Sequence, residues 1–270
     1  MRKKKIIILT QLFFVFTFFS CDLFEYQPYD GRVSGETGIN KKNIKLIEQN
    51  TEGKDTIRFV MMGDSQRWYD ETKDFVTCLN KRNDIDFVIH GGDMSDFGAT
   101  KEFMWMRDIM NLLKVPYVAI LGNHDCLGNG EDIYEEIFGE ENFSFLAGNT
   151  KFVCLNTNAL EYDYSHPVPD FTFINNELKN KNPNQEKTVI AMHVRPLGVQ
   201  FNNNSAQLFE YYVKQFPGIQ FCLNAHDHNI EVNDLFNDGI IYYGSNCMKD
   251  RSYLLFTLTP KGYTYEVVRY

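Results

Sequence analysis

The chain has 270 residues, 43% hydrophobic and 15% aromatic, enough apolar material for one large core. Its formal charge is −9, a sign that repels polyanions and argues against long nucleic acid as a partner. The six cysteines include no Cys-x-x-Cys pair, which argues against a thiolate zinc site.

At the N-terminus, Arg2-Lys3-Lys4-Lys5 precedes an apolar run over residues 6–19 and then Ser20-Cys21. The run is shorter than the ~20 residues a spanning helix needs. A small residue directly before Cys, closing such a segment, resembles a bacterial lipoprotein signal. The resemblance implies cleavage before Cys21, lipidation of Cys21, and a folded part exported and membrane-anchored at the cell envelope, facing the periplasm or the cell surface. Phe18 departs from the small aliphatic residue usual three before the Cys. Loss of residues 1–20 removes four basic residues and takes the charge from −9 to −13. Residues 21–55 read as a tether and lead-in, with a short strand or helix near Ile44-Ile47. Residues 56–270 read as one domain.

Three apolar runs follow, each ending in a polar block. Residues 57–62 lead into Gly63-Asp64-Ser65-Gln66, residues 86–90 into Gly91-Gly92-Asp93-Met94-Ser95-Asp96, and residues 116–121 into Gly122-Asn123-His124-Asp125. Residues 71–81 and 100–113 lie between them and read as amphipathic helices. In the second, Phe103, Met106, Ile109, Met110 and Leu113 recur at helical spacing. A strand-helix-strand-helix-strand order with right-handed crossovers makes the strands parallel, and their carboxyl ends share one sheet edge. Ligands of open α/β sheets bind at that edge. Asp64, Asp93 and Asn123 are therefore expected to meet.

Further on, residues 131–138 read as a short helix. Residues 143–145 and 151–156 flank a Gly148-Asn149 hairpin turn. Residues 160–170 read as a loop overhanging the site, and residues 171–181 as a helix ended by Asn182-Pro183. A buried strand over 188–192 ends at His193; a loop over 196–205 and a helix over 206–215 follow. A strand over 219–223 ends at Ala225-His226-Asp227-His228. The tail, over 240–243, 253–258 and 263–269, alternates as an antiparallel region does.

The polar residues at strand ends combine carboxylates, amides and imidazoles: Asp64, Gln66, Asp93, Asp96, Asn123, His124, His193, His226 and His228. Such a donor set suits borderline divalent metals and is large enough for two ions. In order, Asp-x-Gln, Gly-Asp-x-x-Asp, Gly-Asn-His-Asp, a lone His and His-x-His resemble the calcineurin-like metallophosphoesterase superfamily.

The resemblance implies a four-layer α/β/β/α sandwich of two mixed sheets, the tail completing the second. It implies two divalent ions (Mn, Fe, Zn or Co) and a small phosphorylated substrate, a phosphate mono- or diester or a pyrophosphate, attacked by a metal-bridging hydroxide. Asp64 and His228 would bind the first ion, Asp93 both, and Asn123, His193 and His226 the second. His124, hydrogen-bonded to Asp96, would act as general acid or transition-state stabiliser. Gln66 stands where most of the superfamily has His, similar to the manganese-dependent ADP-ribose/CDP-alcohol phosphohydrolases; this favours manganese, with Gln66 either a ligand or a hydrogen-bonding neighbour. Asp96, where purple acid phosphatases have Tyr, argues against that branch. Arg195 is a candidate for holding substrate phosphate through its fork, against a structural salt bridge. The competing reading is a catalytically weak binding lipoprotein on the same scaffold, motivated by Gln66 alone.

Overall fold

The computed structural model describes residues 29–180 and 182–270. The signal segment 1–20 and Cys21 lie outside the described residues. Residues 31–270 make one compact unit, and residues 1–30 another, of which only Tyr29 and Asp30 are described.

The first apolar run is strand β1 (Ile57–Met62), the centre of a five-stranded sheet. The sheet also holds β2 (Phe87–His90), β3 (Tyr117–Ala119), β10 (Ser252–Thr259) and β11 (Gly262–Arg269), in the order β11-β10-β1-β2-β3. β1, β2 and β3 are parallel, as the crossover argument requires; β10 and β11 run antiparallel to their neighbours. The six-stranded second sheet comprises β4 (Phe143–Ala147), β5 (Thr150–Leu155), β6 (Lys187–Met192), β7 (Ile219–Asn224), β8 (Glu231–Asn233) and β9 (Tyr242–Gly244). Its order is β4-β5-β6-β7-β9-β8, with the four inner strands parallel and the two edges antiparallel.

Alternation along β1 shows why these strands read as unbroken apolar runs. Phe59 and Met61 face the other sheet, whereas Val60 and Met62 face helices. Six phenylalanines, Phe59, Phe87, Phe145, Phe152, Phe221 and Phe256, fill the space between the sheets. Their neighbouring rings lie 4.7–5.6 Å apart, alternately stacked and edge-on, arrangements that suit the ring quadrupole. Helices α2 (Tyr69–Leu79) and α3 (Thr100–Met110) cover the first sheet through Phe75, Val76, Phe103 and Met106. Helices α5 (Phe171–Lys179) and α6 (Ala206–Val213) cover the second through Ile174, Phe209 and Val213. Helix α4 (Gly130–Ile137) joins the outer core of the first sheet through Ile133, Tyr134 and Ile137. The four-layer sandwich is thus observed.

Two expectations are corrected. The lead-in element near Ile44-Ile47 is a full helix, α1 (Ile39–Thr51), packed on the edge strands β3 and β4. Its buried face carries amides as well as Ile39 and Ile47: the Asn40 side chain exchanges two 2.8 Å hydrogen bonds with the Ala119 main chain, and Asn43 Nδ2 donates to Tyr117 O at 2.8 Å. These amides stand in for a missing neighbour strand and satisfy an edge that would otherwise be bare. The tail, in turn, does not complete the second sheet as a unit. β9 joins that sheet parallel to β7, while β10 and β11 cross to the first sheet and pair with β1.

Candidate metal centre at the sheet ends

The parallel strands of both sheets end at one place. β1, β2 and the segment after β3 deliver Asp64, Asp93 and Asn123; β6 and β7 deliver His193, His226 and His228. Main-chain bonds lock the first two loops together: Asp64 N donates to Gly92 O at 2.9 Å, and Ser65 N and Gln66 N both donate to Asp93 O, at 3.0 and 2.9 Å.

The third loop is held by Asp125, to which the motifs assign no separate role. Its buried carboxylate accepts from Met94 N, Ser95 N and Ser95 Oγ through Oδ1, and from Gly122 N through Oδ2, at 2.8–3.0 Å. Burial, with the nearby Asp93 charge, pushes this carboxyl up to about 7. Gly122 permits a close approach to Asp93. A Cβ there would stand 2.1 Å from Asp93 N and 2.2 Å from its Oδ1.

The gathered side chains form two overlapping clusters. Asp93, His193 and His226 offer donor atoms within 4.8 Å of one another, as do Asp64, Asp93 and His228; Asp93 belongs to both. Asn123 Oδ1 lies 3.1 Å from His193 Nε2 and 2.9 Å from His226 Nδ1. His193 Nδ1 donates to Gly91 O at 2.8 Å, which fixes the tautomer and turns Nε2 toward Asp93, 3.3 Å away. His228 Nε2 is 3.2 Å from Asp64 Oδ1. Asp64, Asp93, His226 and His228 all have left-handed backbones, φ 50–70°, a concentration of strain typical of sites that must hold a geometry.

Burial and charge oppose each other here. Burial raises the Asp64 carboxyl despite its hydrogen bond from His228. At Asp93 burial also pushes upward, but His193 outweighs it and holds the carboxyl below its ordinary value. Burial disfavours charge on His193, yet Asp93 carries it to about 9; burial and His193 bring His226 down to about 4. Buried carboxylates facing imidazoles and an amide oxygen suit divalent cations. Gln66 adds to the fit: it is 4% exposed, its Nε2 donates to Asp93 Oδ2 at 3.2 Å, and its Oε1 is buried with no hydrogen-bond partner.

Around this centre, two expectations change or sharpen. His124 N donates to Asp93 Oδ1 at 3.0 Å, and its ring Nδ1 donates to the main-chain carbonyl of Asp96 at 2.9 Å. The Asp96 carboxylate lies 3.9 Å from that nitrogen and pairs instead with Arg67, a cation the sequence did not mark. Arg195 is ion-paired: its Nε donates to Asp227 Oδ2 at 2.7 Å and lies 3.6 Å from Glu231 Oε2. His90 is structural, taking Gly92 N–H on Nδ1 at 3.2 Å and bonding Ser65 Oγ through Nε2 at 2.7 Å. The loops over 159–170 and 196–205 are joined by Leu160 N donating to Gln200 O at 3.3 Å and flank an open cleft of about 510 Å³. The five described cysteines are unpaired; Cys126 bonds Gly122 O through Sγ at 3.3 Å.

Residues 57–229 match the family profile described as calcineurin-like phosphoesterase. A 3',5'-cyclic-nucleotide phosphodiesterase of Nostoc sp. is 27% identical over 169 residues, covering 58% of this chain and 62% of that protein. The chain spans less than two thirds of the length of the curated relatives it matches. Among solved structures, a dimetal phosphatase from Danio rerio shares the fold with a TM-score of 0.60 at 13% identity, over 79% of this chain and 99% of that one. A purple acid phosphatase from yellow lupin gives 0.60 at 16% identity, over 81% and 52%. With the profile spanning well over half of its length and every block of the centre inside the match, the chain belongs to the calcineurin-like phosphoesterase family.

Proposed function

We propose that this chain is a dinuclear-metal-dependent phosphoesterase acting on small phosphate esters, phosphodiesters foremost. The observation that carries the reading is the sharing of Asp93 between two donor clusters. Asp64, Asp93 and His228 would hold one divalent ion, with Gln66 Oε1 within the same loop as a further oxygen donor; Asp93, Asn123, His193 and His226 would hold the other. A pair of such ions supplies charge neutralisation at the phosphoryl group and acidifies water to a nucleophile near neutral pH. The amide oxygens of Gln66 and Asn123 favour manganese-like over zinc-like ions.

The chain's own residues do the rest. The Gly91 carbonyl keeps the proton of His193 on Nδ1 and leaves Nε2 for a ligand bond. The Asp96 carbonyl accepts from His124 Nδ1, so the proton that passes to the leaving oxygen would be a second one, carried on Nε2 of the imidazolium. The carbonyl orients that ring, and the Asp96 carboxylate, 3.9 Å from Nδ1, adds a charge that favours the imidazolium. The name of the Nostoc relative supports a cyclic phosphodiester among the substrates. The Ser20-Cys21 signal supports a lipid-anchored location at a bacterial envelope.

The test uses chelator-treated protein with Mn, Zn, Fe or Co returned singly. It is assayed on bis(p-nitrophenyl) phosphate, p-nitrophenyl phosphate, 3',5'-cyclic AMP and ADP-ribose. Metal-restored turnover, strongest with manganese and with a diester, is the expected result. Folded protein that turns over none of them with any metal would overturn the reading and return the scaffold to a binding role.

A further inference from the structure

Arg67 has features that stability alone does not explain. Its φ is 58°, a left-handed backbone that non-glycine residues enter at a cost. The turn that imposes this is tight: Gln66 N donates to Asp93 O, and Trp68 N donates to Ser65 O at 3.0 Å. The turn brings the guanidinium to the Asp96 carboxylate, one Nη2 to Oδ1, with the Arg67 side chain 56% exposed. An ion pair that open to water contributes little to folding, so the strain is not offset there. Among the described residues the other guanidinium N–H groups of Arg67 make no hydrogen bond.

Position gives the pair its meaning. Asp96 serves two neighbours, His124 through its carbonyl and Arg67 through its carboxylate. His124 N and Gln66 Nε2 bracket the Asp93 carboxylate. Arg67 therefore stands at the mouth of the centre beside the ring assigned to the leaving oxygen. Two other cations are held by neighbours of their own: Arg195 through Nε by Asp227 and Glu231, which come from beyond β7, and Lys249 over the Trp68 ring at 5.6 Å. A guanidinium held on one edge keeps its remaining donors in a fixed fork, the geometry that takes two oxygens of a phosphoryl group. The adjacent carboxylate makes the pair net neutral, so a second negative charge on the substrate would face Asp96 unopposed.

We propose that Arg67 binds non-bridging oxygen of the substrate phosphoryl group, and that Asp96 beside it fits this subsite to singly charged phosphodiesters over doubly charged monoesters. The proposal rests on the phosphoesterase reading and assigns its charge selectivity to one pair of residues.

The test compares full-length wild type, Arg67→Gln, Arg67→Lys and Asp96→Asn, all loaded with manganese and checked for metal content. Loss of one charge-assisted contact predicts a ~10- to 100-fold rise in KM for bis(p-nitrophenyl) phosphate in Arg67→Gln, with a smaller change in kcat and unchanged metal content. Arg67→Lys restores part of it. Asp96→Asn keeps the carbonyl and the guanidinium but removes the opposing charge, so its preference moves toward p-nitrophenyl phosphate by ~10-fold. A purely structural ion pair would make Arg67→Gln and Asp96→Asn change alike, and that result, or an unchanged KM in Arg67→Gln, overturns the proposal. Calorimetric binding of diethyl phosphate against phenyl phosphate reads the same preference without turnover. Absent turnover with wild-type binding that depends on Arg67 refutes the enzyme reading and keeps the subsite, whereas turnover with no dependence on Arg67 does the reverse.

Discussion

Adding one methyl group at Gly122 strikes the centre without replacing any proposed ligand. The new Cβ would stand 2.1 Å from Asp93 N and 2.2 Å from Asp93 Oδ1, where ordinary contact begins near 3.4 Å. Asp93 or the Gly122 segment must move by about 1.2 Å. The surroundings cannot absorb this quietly, because Gly122 N is tied to Asp125 and Gly92 presses from the other side. Overpacking of this kind costs about 1–3 kcal/mol. A displacement near 1 Å in a reacting constellation costs about 10²-fold in rate. Since Asp93 sits in both clusters, Gly122→Ala is expected to weaken both metal sites together. Gly53→Ala is the control: Gly53 has φ 70° and no atom within 4 Å of its would-be Cβ. That change costs about 1–2 kcal/mol of left-handed backbone strain and leaves the centre alone. Urea midpoints, metal content and turnover of bis(p-nitrophenyl) phosphate are measured for both. Similar stability losses with turnover lost only in Gly122→Ala are expected. Full metal occupancy and wild-type turnover in Gly122→Ala would refute the close-approach argument.

Other consequences are equally direct. Asn40→Ala removes two buried hydrogen bonds to Ala119 and leaves its N–H unpaired, while Tyr134 still serves the carbonyl; a loss of about 1–3 kcal/mol in urea unfolding is expected, and a shift under about 0.5 kcal/mol would contradict the edge-capping role. Burial raises the Glu210 carboxyl from 4.5 to about 7. The folded state therefore binds more protons between those values, and stability falls as pH rises through that window. Denaturation at pH 5 and pH 8 should show a larger decline in wild type than in Glu210→Gln, where the raised Asp125 and His193 still contribute; an identical decline in the variant would place the titration elsewhere. His124→Ala should retain its metals and lose turnover by about 10²-fold or more, with the smallest loss for p-nitrophenol esters, whose leaving group needs least protonation. Equal losses for good and poor leaving groups would remove His124 from that role.

The centre was legible because its residues sit where sequence patterns are strongest. Strands buried on both faces read as unbroken apolar runs, and the polar residue that ends each run must lie at the carboxyl edge. Parallel order then brings Asp64, Asp93, His193 and His226 together without knowledge of packing. Helix α1 was harder because amides supply part of its buried face, and an apolar-period reading counts Asn40 and Asn43 as exposed. The tail's alternation announced pairing but not partners: nothing local in residues 254–258 says that they lie against β1, about 200 positions earlier. The Asp96–His124 contact was legible as a pair of residues only, since motif spacing does not say whether a carbonyl or a carboxylate faces the ring. Arg67 carried no signal at all, because only the left-handed turn after Gln66 brings it to Asp96. Arg195 was visible as a cation two residues after His193, but its partners lie beyond β7, Asp227 in the following loop and Glu231 at the start of β8.

The most direct test of the shared-carboxylate centre is manganese stoichiometry, measured with turnover on the same samples, for wild type, Asp64→Ala, His226→Ala and Asp93→Ala. Two ions per chain in wild type are expected, one in Asp64→Ala and in His226→Ala, and none held tightly in Asp93→Ala, with turnover lost in all three. An Asp93→Ala protein that still binds two ions, or still cleaves the diester at the wild-type rate, would contradict the account.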